Sequence, residues 1–135
     1  NDGYLQITGR KKNLIVTAGG KNVYPEEIEH YLQQSDYISE AIVMGIKDKT
    51  EYAEEVGALI YPDYEAIEQY FIEKNMGQNE EEVFNLIGRE VGRTLKELPS
   101  YKQVRKFHIY ADEFTKTSTR KIKRFLYSPK VLTEE

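Results

Sequence analysis

Residues 38–46 and 56–61 are two runs dominated by β-branched and aliphatic side chains, and they stand on either side of the charged stretch 47–54. Few patterns restrict a fold more. Such side chains fit the pleated, half-buried surface of a sheet, and a solvated connection between two runs reads as a strand pair. The pair is expected at the centre of a sheet. Residues 104–110 alternate as a further strand, with Phe107 and Ile109 on one face and Lys106 and His108 on the other. That places His108 at the surface rather than in a catalytic role. Between these strands lie two helical patterns. Ile67, Tyr70 and Phe71 fit a short helix after Pro62, and Phe84, Ile87, Val91, Leu95 and Leu98 form a longer stripe that stops before Pro99. Both stripes are read as core.

Toward the N-terminus, Asn1-Asp2-Gly3 is hairpin-turn chemistry with no strand before it, so the chain is expected to be a piece of a larger protein. Residues 4–8 alternate as a strand, 9–12 form a basic turn, and 14–17 form a second short strand ending at the Gly19-Gly20 breaker. Pro25 then opens a helix. Proline suits the first helical position, Glu26, Glu27 and Glu29 suit the positive end of the helix dipole, and Ile28, Tyr31 and Leu32 give an apolar stripe. The fold class expected is a compact α+β domain: a central, mainly antiparallel sheet flanked by helices, with an N-terminal β-hairpin over residues 4–17 at its edge. An exposed apolar patch is expected at that hairpin.

At 135 residues the chain fits one domain, and 39% hydrophobic residues suffice for a core. It has no cysteine, which excludes disulfides and thiolate metal sites, and its two histidines, His30 and His108, are too far apart in sequence to indicate zinc. No metal site is expected. No apolar stretch approaches the length of a membrane span and no signal-peptide pattern is present, so the chain reads as soluble and compatible with the cytoplasm. Charge is unevenly spread. Residues 101–135 carry nine Lys/Arg against four Asp/Glu, a balance of +5, whereas residues 1–100 carry ten against nineteen, a balance of −9. A basic tail on an acidic body suits an anionic small molecule or an acidic partner better than a nucleic acid.

Within that tail, Phe114-Thr115-Lys116-Thr117-Ser118-Thr119-Arg120-Lys121-Ile122-Lys123-Arg124 is the segment that carries chemistry. Its hydroxyl-rich part disfavours a helix, because side chains offer the backbone competing hydrogen bonds. Lys121 therefore sits where a loop ends. An ammonium on a flexible stem can reach across a gap and neutralise phosphate or carboxylate oxygens. Taken alone, the run equally describes a solvated face or a polyanion patch.

The stretch Asp2-Gly3-Tyr4-Leu5-Gln6-Ile7-Thr8-Gly9-Arg10-Lys11-Lys12, continued by Leu14-Ile15-Val16-Thr17-Ala18-Gly19-Gly20-Lys21-Asn22-Val23-Tyr24-Pro25-Glu26-Glu27, resembles the hinge motif of AMP-forming acyl-CoA synthetases. Their superfamily also holds luciferases and peptide-synthetase adenylation domains. The family's second motif, P-K-T-x-x-G-K-I-x-R, lines up with residues 115–124 and puts its catalytic lysine on Lys121. The resemblance covers essentially the whole chain, but only the C-terminal lid domain of such an enzyme. It implies that residues 1–135 partner a large N-terminal adenylation domain absent here, and that the chain alone does not turn over substrate.

What the resemblance implies further is a ligase using ATP, Mg²⁺ and coenzyme A: acyl-adenylate formation, then thioester formation. Within it, Lys121 is the catalytic and nucleotide-binding lysine, Arg10 a second nucleotide contact, and Lys12 the hinge. Gly19 and Gly20 border the channel for the coenzyme A arm. The stretch from Lys11 to Tyr24 looks most like bacterial long-chain fatty acid–CoA ligases, which implies an enzyme of the cytoplasm that can associate peripherally with a membrane. Two features depart from the motif: Thr115 replaces its proline and Arg120 its glycine. Two other readings stand beside this one. Another carboxylic acid, or an acyl carrier protein as thiol acceptor, would keep the fold; a basic-tailed membrane- or nucleic-acid-binding module would not be an enzyme part.

Overall fold

The computed structural model describes residues 13–47 and 53–133. The strand expected over residues 4–8 and the basic turn with Arg10 and Lys12 lie outside the described residues. Three strands make the main sheet: β3 (Ile38–Lys47), β4 (Glu54–Pro62) and β5 (Val104–Ile109), in the order β3-β4-β5. Before them, β1 (Ile15–Val16) and β2 (Asn22–Val23) pair as a small antiparallel ribbon. The described hairpin begins in the expected 14–17 strand and returns through β2; the expected pairing of that strand with residues 4–8 lies outside the described residues. Val16 and Tyr24 expose apolar surface on this ribbon, where an apolar patch is expected.

The β3–β4 ladder is antiparallel and pairs Ala41 with Ile60 and Val43 with Ala58. β5 joins β4 in parallel, with Ala58 opposite Phe107 and Ile60 opposite Ile109. The longer ladder matches the expected antiparallel pairing, and the parallel one adds to it. A parallel neighbour requires a long crossover. Here helices α2 (Tyr64–Glu73) and α3 (Glu80–Leu95) supply it. Of the two runs expected at the centre, β4 takes that place and β3 lies to one side.

The position of β4 accounts for its composition. Val56, Ala58, Leu59 and Ile60 are all buried, because both faces of the strand are covered. On one face Ala58 and Ile60 join Val43, helix α1 (Pro25–Leu32), and α2 and α3 in the larger core. On the other, Leu59, Ile42 and Ile46 pack with Phe114 and Leu132 from the C-terminal segment.

The helices begin where their sequences say. Pro25 occupies the start of α1 with Glu26 and Glu27 in the first turn. Asp63 caps α2 by accepting from Ala66 N at 3.1 Å, and Asn79 caps α3 by accepting from Glu82 N at 2.8 Å. The end of α3 is closed by Gln103, whose Nε2 donates to the carbonyls of Leu95 at 2.7 Å and Leu98 at 2.9 Å. One expectation about α3 fails. Its buried residues are Val83, Leu86, Ile87, Val91 and Leu95, whereas Phe84 is 49% exposed and stacks on Phe107 with ring centroids 4.6 Å apart. Leu98 lies beyond the helix end and packs against the core from there.

Candidate functional site

The segment leaving β5 is anchored before it reaches Lys121. Phe114 is 1% exposed, and its ring meets those of Tyr110 and Tyr127 edge-on at 5.3 and 5.0 Å. Its backbone N–H donates to Glu40 Oε1 at 3.1 Å, and the other oxygen of Glu40 pairs with Lys116. Lys116 also donates to Glu113 Oε1 at 2.9 Å and to the Phe114 carbonyl at 3.1 Å. Hydrogen bonding to Glu40 raises the pKa of Lys116, since its carboxylate favours the charged ammonium. One foot of the loop is thereby fixed to β3.

The other foot is fixed to α1. Arg124 pairs with Glu29 Oε1, and Glu29 Oε2 accepts from Val43 N at 2.8 Å. Burial raises the pKa of Glu29, against the opposing pull of Arg124. Thr115 N adds a bond to the Tyr127 hydroxyl at 2.8 Å.

Between the feet, residues 115–123 close as a tight hairpin. Lys116 and Ile122 form an antiparallel bridge, and Lys123 N donates to Thr115 O at 2.8 Å. Thr117 N donates to Lys121 O at 2.7 Å, Arg120 N donates to Thr117 O at 2.9 Å, and Lys121 N donates to Thr117 Oγ1 at 3.1 Å. The hydroxyl residues that disfavour a helix thus organise the turn. Arg120 stands at φ +69°, in the left-handed region. A side chain there costs about 1 kcal/mol, which glycine avoids. Lys121 is exposed, and its ammonium makes no hydrogen bond or ion pair with the described residues. Lys116 and Arg124, at the two feet, are held by carboxylates; Lys121 is presented outward on a braced arm.

Gly19 and Gly20 occupy a similar turn between β1 and β2. Thr17 N donates to Lys21 O at 2.9 Å and Gly20 N donates to Thr17 O at 3.0 Å. The glycines stand at φ +86° and +80°, and a Cβ built on either would meet nothing within 4 Å. Backbone geometry, not crowding inside this chain, calls for glycine here. The ribbon is tied to β4 by Val16 N donating to Glu54 Oε1 at 3.1 Å.

No hydrogen bond or ion pair among the described residues joins the Gly19-Gly20 turn to the Lys121 hairpin. The residues that follow the expected hinge do approach that hairpin's foot: Asn13, Leu14, Val43, Glu54, Arg124 and Tyr127 line one cavity of about 190 Å³. The larger cavity, about 830 Å³, lies between the start of α3 and β5 and includes Phe84, Phe107 and His108. None of the residues singled out from the motifs lines it. Exposed His108 does sit at the surface as expected.

Sequence reading missed the anchors Glu29 and Glu40. A signal was there, since Glu29 falls within the stripe of Pro25, Ile28 and Leu32, and Glu40 falls in an otherwise apolar strand. A carboxylate on a buried face requires a partner. Among the described residues no group of His, Asp or Glu could hold a metal ion, and no helix is long and apolar enough to cross a membrane.

Comparison with known proteins places these features in a family. The model of the family described as "AMP-binding enzyme C-terminal domain" matches residues 12–129. Long-chain-fatty-acid–CoA ligase FadD15 of Mycobacterium tuberculosis is 35% identical over 147 aligned residues, covering 98% of this chain and 24% of that protein. The chain therefore spans about a quarter of the length of that relative. A solved fatty acyl CoA synthetase from Mycobacterium tuberculosis is 25% identical, with a TM-score of 0.57 over 85% of this chain and 19% of that one. The anthranilate CoA ligase AuaEII, solved with anthranoyl-AMP, is also 25% identical, with a TM-score of 0.62 over 86% of this chain and 19% of that one.

Proposed function

Because the chain belongs to the family of AMP-binding enzyme C-terminal domains, we propose that it is the mobile lid of an ATP-dependent acyl-CoA ligase and delivers Lys121 into the active site of a separate, larger adenylation domain. The observation that carries this reading is the braced hairpin. Both its feet are fixed by half-buried carboxylates, while Lys121 itself is exposed and without a partner among the described residues. A cation so placed is preorganised for an anion that comes from outside.

In the first half-reaction a carboxylate oxygen of the acid attacks the α-phosphorus of ATP, and pyrophosphate leaves. Lys121 lies between acid and α-phosphate, orients the attack and offsets the charge that accumulates as the bond forms. The lid then swings about Lys12, and the turn of Gly19 and Gly20 borders the path by which the thiol of coenzyme A reaches the acyl-adenylate. Arg10 contacts the nucleotide. Mg²⁺ would accompany ATP and shield the triphosphate; among the described residues no group of His, Asp or Glu could hold it.

Similarity to FadD15 supports a long-chain fatty acid as the substrate; the enzyme so read is a cytoplasmic one that can associate peripherally with membrane. A relative that acts on anthranilate supports other carboxylic acids as the alternative. On its own the chain is expected to turn over neither half-reaction.

The test uses the full-length protein. Lys121→Ala should lower acyl-adenylate formation by about 10²–10³-fold, yet leave conversion of supplied acyl-adenylate to thioester unchanged. Equal loss in both half-reactions would overturn the assignment.

A further inference from the structure

Arg120 occupies a backbone conformation that disfavours it and gains no visible bond in return. The turn that ends the hairpin requires a left-handed residue at this position, because Arg120 N must reach Thr117 O while Thr117 N reaches Lys121 O. Glycine would meet that requirement without cost, and the motif this segment resembles has glycine there. The other described non-glycine residue in this region is Asn75, at φ +56°. Asparagine tolerates it through local hydrogen bonding; arginine does not. Strain that persists at an exposed loop, without a local bond to offset it, is a mark of functional sites.

The neighbouring cations sharpen the contrast. Lys116 is held by Glu40 and Glu113, and Arg124 by Glu29. Arg120 is exposed, and its guanidinium makes no hydrogen bond or ion pair with the described residues. The acid nearest in sequence, Glu113, is bonded to Lys116 and is reached by Arg120 only through a weaker coulombic influence. Two outward cations, Arg120 and Lys121, thus occupy successive positions on one braced turn, with Cα atoms about 3.8 Å apart.

We propose that Arg120 is a second anion-binding residue of the hairpin, set to receive the β- and γ-phosphates of ATP while Lys121 serves the α-phosphate. The proposal rests on the reading of Lys121 given above. As the acid's carboxylate oxygen bonds to the α-phosphorus, the bond from that phosphorus to the bridging oxygen breaks. The bridging oxygen keeps the electron pair and leaves as part of pyrophosphate, and no proton need move. Negative charge therefore grows on the leaving group, away from the single ammonium of Lys121. A planar guanidinium can donate to two phosphate oxygens at once, which suits a diphosphate better than a point charge does.

The experiment uses the full-length enzyme and runs adenylation backwards, measuring ATP formed from supplied acyl-adenylate and pyrophosphate. Arg120→Gly and Arg120→Asn should weaken apparent pyrophosphate affinity about ten- to a hundredfold, with KM for the carboxylic acid unchanged. Arg120→Lys should retain part of the affinity. The melting temperature of Arg120→Gly should stay level or rise, which separates a lost ligand contact from a damaged fold. Pyrophosphate affinity at the parent value in Arg120→Gly would overturn the proposal. Lys121→Ala is measured alongside. If it is impaired while Arg120→Gly is normal, only the role of Arg120 falls; if it is normal while Arg120→Gly is weakened, the role of Lys121 falls and that of Arg120 stands.

Discussion

Glu29 is pulled in two directions. Burial disfavours its charged form, and the nearby Glu26 adds to that, while Arg124 and the Val43 N–H favour the carboxylate. Burial is the larger influence, so the folded carboxyl binds its proton more tightly than the unfolded one does. Where the native state holds more protons than the unfolded state, stability falls as pH rises. The contribution of Glu29 is therefore fully present below the ordinary value of 4.5 and is lost as pH rises through the higher folded value. Glu90 works in the opposite sense, because hydrogen bonds from Arg93 and Ser35 lower its pKa, but it is common to parent and variant and cancels in a comparison. Glu29→Gln removes the titrating group while keeping a side chain of the same shape. Thermal melts of the two proteins from about pH 7 to about pH 5 should show the parent gaining on the variant as the solution is acidified. A parent that loses ground instead would mean that the ion pair with Arg124 outweighs burial. At this scale the sequence was legible in part. The motif singled out Lys121 and the departure at Arg120, but the carboxylates that brace them come from α1 and β3, and pairing across the fold leaves no local spacing to read.

Helix α3 shows what periodicity can and cannot settle. A repeat of apolar residues at helical spacing identifies the helix, yet Val83, Phe84, Ile87, Val91 and Leu95 are compatible with two neighbouring stripes. The packing chooses the one through Val83 and Leu86, which turns Phe84 to the rim, where it lies flat on Phe107. Ile87 is fully buried in the larger core. Ile87→Ala removes contacts that cannot be replaced and should cost about 3 kcal/mol. Phe84→Ala, although it deletes a larger side chain, loses a half-exposed stack and should cost about 1 kcal/mol or less. Urea unfolding of both variants checks the order. A Phe84 variant less stable than the Ile87 variant would restore the stripe expected from sequence and contradict the packing. The parallel placement of β5 is another element-scale property that composition does not reveal. Its alternation marks a strand, but direction depends on the path that α2 and α3 take across the sheet.

For the whole molecule, the decisive feature is that β4 is covered twice. The helices cover one face through the larger core, and the segment that carries Lys121 covers the other through Phe114 and Leu132. The apolar run over residues 56–60 made a central strand legible; that both its faces are covered, and which segment supplies the second cover, was not, because residues 110–133 are polar for most of their length. This arrangement makes the Lys121 hairpin part of a core, with stiffness borrowed from Ile42, Ile46 and Leu59. It also makes the smaller core the natural place for a partial opening, since fewer buried residues hold it. Phe114→Ala should cost about 3 kcal/mol or more. Its effect should be local: amide exchange should accelerate over residues 114–127 and along the Ile42 and Leu59 face, while amides of α1 and α3 keep most of their protection. Exchange that accelerates equally in α1 and α3 would show the two cores to be one cooperative unit. In that case the hairpin could not loosen without the whole domain unfolding, and any defect that Phe114→Ala causes in the adenylation proposed above would follow from reduced folded protein rather than from a misplaced Lys121.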